Sequence, residues 1–155
     1  FDALTGSIEK LNITGKKGLK LSKYWKSGPK SFLGLLVPNF PNLFIVSGPG
    51  SPSVLTNVPV QIEQHVEWIS KCIKFLENNK KQSIESTNLS ANKWQKEIMN
   101  SVKKTLFLKA KTSWYKGDNI PGKSKSFLPY PGGMPKYRKA CLKVEKTNYK
   151  ELKII

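Results

Sequence analysis

Three stretches of the chain carry apolar residues at helical spacing. In the first, Asn57 offers a side-chain oxygen to a helix start, and Pro59 lies in the first turn, where a missing N–H has no cost. Apolar residues then recur at steps of four and three along one face: Ile62, Val66, Ile69, Ile73 and Leu76. Three further residues widen this stripe: Trp68, Cys72 and Phe75. The pattern predicts a helix through about Asn78 that buries this stripe.

The remaining pattern predicts an α/β fold. Helical spacing recurs from about Ser90 to Leu106 and from about Lys136 to Thr147, and short runs at "SIES" and "ELKII" are typical of strands. "SIEKLNITGKKGLKL" predicts a hairpin around "TGKKG", and the apolar run Leu43–Val46 followed by turn residues is typical of a buried parallel strand. The resulting order of strands and helices indicates a mixed sheet-and-helix fold.

The junction "GPGSPSVLTNVP" connects that predicted strand to the first helix. Ligands in α/β sheets bind at the carboxyl ends of strands, and a helix start offers unpaired N–H groups with a partial positive charge. Small residues allow the backbone to approach a flat or anionic ligand. The segment lacks the third glycine of a dinucleotide fingerprint. On spacing alone, a purely structural turn is therefore at least as well supported as a ligand-binding loop.

The formal charge of +17 raises the alternative of a basic nucleic-acid-binding module. Lysines supply almost all of it, because Arg138 is the single arginine, and they are scattered through every segment. Arginine is the residue suited to bidentate phosphate and guanine contacts, so the composition favours a solvated lysine surface without a specific nucleic-acid partner.

Cysteine and histidine content points away from metal and nucleophilic chemistry. Cys72 and Cys141 are far apart and lie on predicted apolar stripes, so we expect buried free thiols. His65 has no ligand partner at metal spacing, and one histidine makes no catalytic triad. The apolar runs are too short to span a bilayer, so we expect a soluble protein. We also expect it to be cytoplasmic and monomeric.

Four segments together resemble the C-terminal third of the Baeyer–Villiger monooxygenases, the family of cyclohexanone and phenylacetone monooxygenases. These are "FDALTGSI", "NLFIVSGPGSPSVLTNVPVQIEQHVEWI", "SWYKGDNIPGK" and "YPGGMPKYRKAC", in the same order along the chain. The resemblance implies a flavoprotein with two dinucleotide-binding domains, FAD and NADP as cofactors, and insertion of one atom of molecular oxygen into a ketone to give an ester or lactone. A related flavin monooxygenase acting on nitrogen or sulfur is the close variant.

The resemblance also implies roles for particular residues. Leu55 and Thr56 are expected to line the substrate pocket, and Pro129 occupies a place where the family often has an aromatic pocket residue. Four residues are expected to contact the cofactors: Gly48, Asn57 and Val58 at FAD, and Trp114 at NADP from a mobile loop.

The glycine-rich fingerprints and the active-site arginine of the family have no counterpart in this sequence. Arg138 lies in "KYRKAC", near the last helix, and does not replace that arginine. We therefore expect residues 1–155 to be part of an FAD/NAD(P)-binding domain from a longer enzyme, inactive alone and without a catalytic residue of its own.

Overall fold

The computed structural model describes Asp2 and residues 4–155, so Phe1 and Ala3 of the segment "FDALTGSI" lie outside the described residues. The described part of the chain forms the α-helices α1 (Gly6–Lys10), α2 (Leu21–Tyr24), α3 (Val58–Asn78), α4 (Asn88–Val102) and α5 (Met134–Lys146), and the strands β1 (Ile84–Ser86) and β2 (Leu152–Ile154). Single 3-10 turns lie at Lys16–Gly18, Ser53–Leu55, Phe107–Lys109 and Trp114–Lys116.

The three long helices confirm the helical pattern, and local capping explains where two of them start. The Asn57 side chain accepts a hydrogen bond from the Val60 N–H at 3.3 Å, as expected for the cap of α3. Helix α4 begins earlier than predicted because Thr87 and Ser90 form a reciprocal capping box.

The two predicted strands "SIES" and "ELKII" pair with each other. β1 and β2 are antiparallel, with Ile84 opposite Ile154 and Ser86 opposite Leu152. A hydrogen bond connects this two-stranded sheet to the loop that contains Asn42, whose side-chain oxygen accepts the Ile84 N–H at 3.0 Å.

The predicted parallel strand at Leu43–Val46 is wrong. This segment makes a single antiparallel bridge, between Leu36 and Phe44, and forms no regular strand. Asn42 and Ser47 flank it with φ values of 58° and 57°, so the extended backbone is interrupted at both ends. No neighbouring parallel strand lies within the described residues.

The predicted hairpin is right only around its turn. Gly6–Lys10 forms α1 instead of an extended run. Thr14 and Lys20 do form an antiparallel bridge around the Lys16–Gly18 turn.

The predicted orientation of α3 is wrong at three of its apolar residues. Ile62, Val66 and Ile73 are 40%, 49% and 42% exposed. The buried face of the helix instead carries a mixture of polar and apolar residues: Gln61, Gln64, His65, Trp68, Cys72 and Leu76. Gln61 and His65 are tolerated inside because they hydrogen-bond to buried groups, which removes much of the cost of their burial.

The core forms where α3, α4 and α5 meet the loops. Trp68, Ile98 and Tyr137 belong to its main cluster, and Trp68 reaches across to donate its indole N–H to the Cys141 carbonyl at 3.1 Å. A second cluster beside α2 is built on Leu21, Trp25, Val37, Phe40 and Ile45. Cys72 and Cys141 are buried free thiols, as predicted. None of the described helices is long and apolar enough to cross a membrane.

Candidate functional site

The five residues Ser47–Ser51, here called the glycine turn, are fixed by backbone contacts on both sides. The Gly50 N–H donates to the Leu128 carbonyl at 2.6 Å, and the Tyr130 N–H donates to the Ser51 carbonyl at 2.7 Å. The Trp94 indole N–H donates to the Gly50 carbonyl at 2.8 Å. These contacts leave the turn little conformational freedom.

Close backbone packing explains the small residues of the glycine turn. A Cβ atom at Gly48 would lie 2.5 Å from the Gly34 carbonyl oxygen. Gly34 itself has a φ of +70°, and a Cβ there would lie 2.4 Å from the Ser51 nitrogen. The missing side chain of Gly48 therefore serves contacts within the chain, and its role as a cofactor contact stays a prediction.

Two side chains from the buried face of α3 hold the glycine turn. The Gln61 amide nitrogen donates to the Ser47 hydroxyl at 3.0 Å and to the Ser51 hydroxyl at 3.3 Å. One helical turn further on, His65 Nδ1 accepts the Ser47 N–H at 3.1 Å. Gln61 and His65 are both fully buried.

The hydrogen bonds of His65 determine its tautomer, and its burial determines its charge. Because Nδ1 accepts the Ser47 N–H, the neutral ring carries its hydrogen on Nε2, which lies 2.7 Å from the Tyr137 hydroxyl. The Tyr137 hydroxyl in turn donates to the Leu33 carbonyl at 2.6 Å. Burial lowers the pKa of His65 to about 4, so the ring is neutral near pH 7.

Sequence reasoning missed these two residues. It found no metal or catalytic role for His65 and left Gln61 out of the site. The available signal was a polar stripe at helical spacing beside the apolar one: Gln61, Gln64 and His65.

The start of α3 presents unpaired donors next to half-exposed side chains. Within the described residues, the backbone N–H groups of Asn57 and Val58 have no hydrogen-bond acceptor. Leu55 and Thr56 are partly exposed just before them. A helix start adds a partial positive charge, so this position suits an electron-rich or anionic group.

Backbone pairing brings Pro129 and the Trp114 turn toward the same region. Pro129 is buried between Leu128 and Tyr130, the two residues that pair with the glycine turn. The Leu128 N–H also donates to the Tyr115 carbonyl at 2.7 Å. The Trp114 ring is partly buried and stacks on Tyr115, with ring centroids 4.0 Å apart.

Asp118 organises the Trp114 turn. Its carboxylate accepts the Ser113 N–H at 2.6 Å and lies 2.9 Å from the Lys116 ammonium nitrogen. The hydrogen bond from Ser113 and the contact with Lys116 lower the pKa of Asp118. Backbone hydrogen bonds of neighbouring residues thus join the segments that contain Gly48, Pro129 and Trp114, and Leu55–Val58 follow the glycine turn in the chain. Across the described residues, no group of acidic, histidine and cysteine side chains is arranged to hold a metal ion.

Comparison with known proteins shows what the chain is related to. It is 44% identical over 138 residues to cyclohexanone 1,2-monooxygenase of Acinetobacter sp, covering 89% of this chain and 25% of that protein. It is 38% identical over 152 residues to a Baeyer-Villiger monooxygenase of Pseudooceanicola batsensis, covering 98% of this chain and 27% of the relative.

A solved structure shares the fold. The crystal structure of OTEMO in complex with FAD and NADP superposes with a TM-score of 0.91 at 32% identity, over 100% of this chain and 28% of that one. The chain is homologous to a segment of the Baeyer–Villiger monooxygenases. It spans about a quarter of the length of the curated relatives it matches. No family model matches the sequence.

Homology to these flavoproteins confirms the predicted family and the partial, mixed helix-and-strand character of the segment.

Proposed function

We propose that this chain is part of an FAD- and NADPH-dependent monooxygenase that inserts one atom of molecular oxygen into a ketone and yields an ester or lactone. Residues 1–155 form part of its FAD/NAD(P)-binding region, and the complete protein works as a monomer. Identity of 44% to a cyclohexanone monooxygenase supports the ketone as substrate. The observation that carries the proposal is the pair of unpaired N–H groups at Asn57 and Val58, beside a fixed glycine turn.

The residues at the start of α3 fit FAD. The flavin ring has an electron-rich edge that needs hydrogen-bond donors, and the N–H groups of Asn57 and Val58 are donors without acceptors in the described chain. The 21-residue helix behind them adds its positive dipole end. Gly48 supports this start through the packing of the glycine turn.

When bound, FAD supplies the oxygen activation and NADPH the reducing hydride. The chain's own residues bind, orient and exclude water. Val58 and Asn57 orient the flavin edge, while Leu55, Thr56 and Pro129 shape the side of the pocket that receives the ketone. Trp114 covers NADP from its turn and offers an indole face for stacking. Arg138 lies exposed on α5, and we assign no proton-transfer step to it.

The decisive experiment is purification of the full-length protein that contains this chain. We expect a bound flavin visible in the absorption spectrum, ketone-dependent oxidation of NADPH, and an ester or lactone as product. A protein without flavin would contradict the proposal. Bound flavin with oxygenation of amines or sulfides only would overturn the ketone as substrate and retain the cofactors.

A further inference from the structure

We propose that Gln61 and His65 are positioning residues, which set the conformation of the glycine turn from the buried face of α3 and thereby the place of the N–H donors at Asn57 and Val58. The inference rests on the proposed function for its consequence at FAD. Its structural part concerns contacts within this chain and is tested separately.

Ser47 is the residue on which both side chains act. Its φ of 57° lies in the left-handed region, which costs a serine on the order of 1 kcal/mol. His65 accepts its N–H and Gln61 donates to its hydroxyl. The N–H and the hydroxyl of one strained residue are therefore held by the same helix, and this compensates for the strain.

The contacts bracket the turn at its two ends. Gln61 reaches Ser47 at the first position and Ser51 at the last, and the Ser51 hydroxyl donates back to the Gly48 carbonyl at 2.8 Å. Only the segment 52–57 separates the turn from the start of α3, so a displaced turn also moves the helix start. The two side chains lie on α3, and the donors that they position lie at its cap residue and its first residue.

Stability alone does not account for Gln61. Its side-chain oxygen is buried and has no hydrogen-bond partner in the described residues, which is unfavourable. A methionine has similar volume and carries no such group. The contribution of the glutamine is therefore specific to the two serine hydroxyls it contacts.

Two substitutions of His65 separate its two contacts in the full-length protein. The side-chain oxygen in His65→Asn lies near the position of Nδ1 and still accepts the Ser47 N–H. The longer side chain in His65→Gln reaches toward Tyr137 and loses the bond to Ser47. Gln61→Met removes both serine contacts, and Cys72→Ala is the matched control, a buried residue of the same helix face away from the turn.

The first readout is hydrogen exchange at the Ser47 amide, which does not depend on activity. We expect exchange within about twofold of wild type for His65→Asn and Cys72→Ala, and about fivefold to tenfold faster exchange for His65→Gln. The second readout is the fraction of oxidised NADPH that yields ester. We expect this fraction to fall for His65→Gln and Gln61→Met. It should be unchanged for His65→Asn and Cys72→Ala.

Equal effects of His65→Asn and His65→Gln on both readouts would overturn the proposal, as would unchanged values in His65→Gln and Gln61→Met. A fall in ester yield for Cys72→Ala matching that of Gln61→Met would also contradict it, because the effect would then be general loss of packing. If the full-length protein binds no flavin, the proposed function fails, and the exchange measurement still decides whether these residues hold the turn.

Discussion

The buried face of α3 is partly polar and its exposed face carries apolar residues, which is the reverse of an ordinary surface helix. The buried face carries Gln61, His65 and Trp68, while the exposed face carries Ile62 and Val66 at 40% and 49% exposure. An apolar stripe marks a face that is to be covered, and it does not say by what. The polar stripe is inside because the glycine turn supplies its hydrogen-bond partners. Since the chain spans about a quarter of its relatives, we expect other parts of the protein to cover the exposed stripe.

The buried face should show the largest response to substitution. Trp68 is 2% exposed, packs edge-on against Tyr149 at 5.4 Å and donates to the Cys141 carbonyl. Trp68→Ala should lower the free energy of unfolding by about 3–5 kcal/mol, because the cavity between α3 and α5 cannot close completely. Thermal or denaturant unfolding measures this. Leu89→Ala, at 65% exposure on α4, is the control and should change stability by less than about 0.5 kcal/mol. Similar losses for both variants would break the distinction between the faces.

Acid should destabilise the buried face through His65. Its pKa is about 4 when folded and ordinarily near 6.5, so protonation favours the unfolded chain. The neutral His65 ring contributes about 3 kcal/mol to the free energy of unfolding. This contribution is complete above about pH 6.5 and is lost as the pH falls toward about 4. The facing phenol of Tyr137 stays neutral throughout, because burial raises its pKa well above its ordinary value.

Unfolding of wild type and His65→Asn across this range measures the effect, since asparagine does not titrate. The stability difference between the two should narrow as the pH falls. A difference that does not change with pH would show that His65 does not titrate between these values.

The sequence predicted the elements with strong local signals. Asn57 and Pro59 identified the start of α3, and the runs "SIES" and "ELKII" identified the two strands. It failed at Leu43–Val46, where positive φ values at Asn42 and Ser47 interrupt the extended backbone, because an asparagine is only a weak signal for such an angle and a serine is none. The candidate site was likewise predicted only in part. Resemblance pointed to the helix start and Trp114, whereas Gln61 and His65 emerged only from contacts between distant segments.

Trp114 should act on NADP independently of the buried face of α3. Its turn pairs with the segment beside the glycine turn, where the Leu128 N–H donates to the Tyr115 carbonyl. Trp114→Ala in the full-length enzyme should weaken NADPH binding roughly tenfold, as expected for a lost stacking contact of about 1–3 kcal/mol, and raise release of hydrogen peroxide. FAD content should not change. Steady-state kinetics with peroxide detection measures both effects.

Trp114→Phe is the matched variant, because it keeps an aromatic face and loses the indole N–H. We expect it to retain part of the NADPH affinity. Unchanged affinity and coupling in Trp114→Ala, together with lower thermal stability, would assign Trp114 to packing against Tyr115 instead of to the cofactor.

The exposed face should give the smallest effect on the free energy of unfolding, and the size of that effect decides whether the face is covered in the complete protein. Val66→Thr preserves shape and replaces a methyl group by a hydroxyl, so it is nearly neutral in water and unfavourable at a buried contact. In the full-length protein we expect a loss of about 1 kcal/mol in unfolding free energy, measured by denaturant titration. Leu89→Thr, at 65% exposure, is the control and should lie within about 0.5 kcal/mol of wild type. If the two variants behave alike, the apolar stripe of α3 faces solvent in the complete protein, and its contrast with the buried face is a property of the whole molecule.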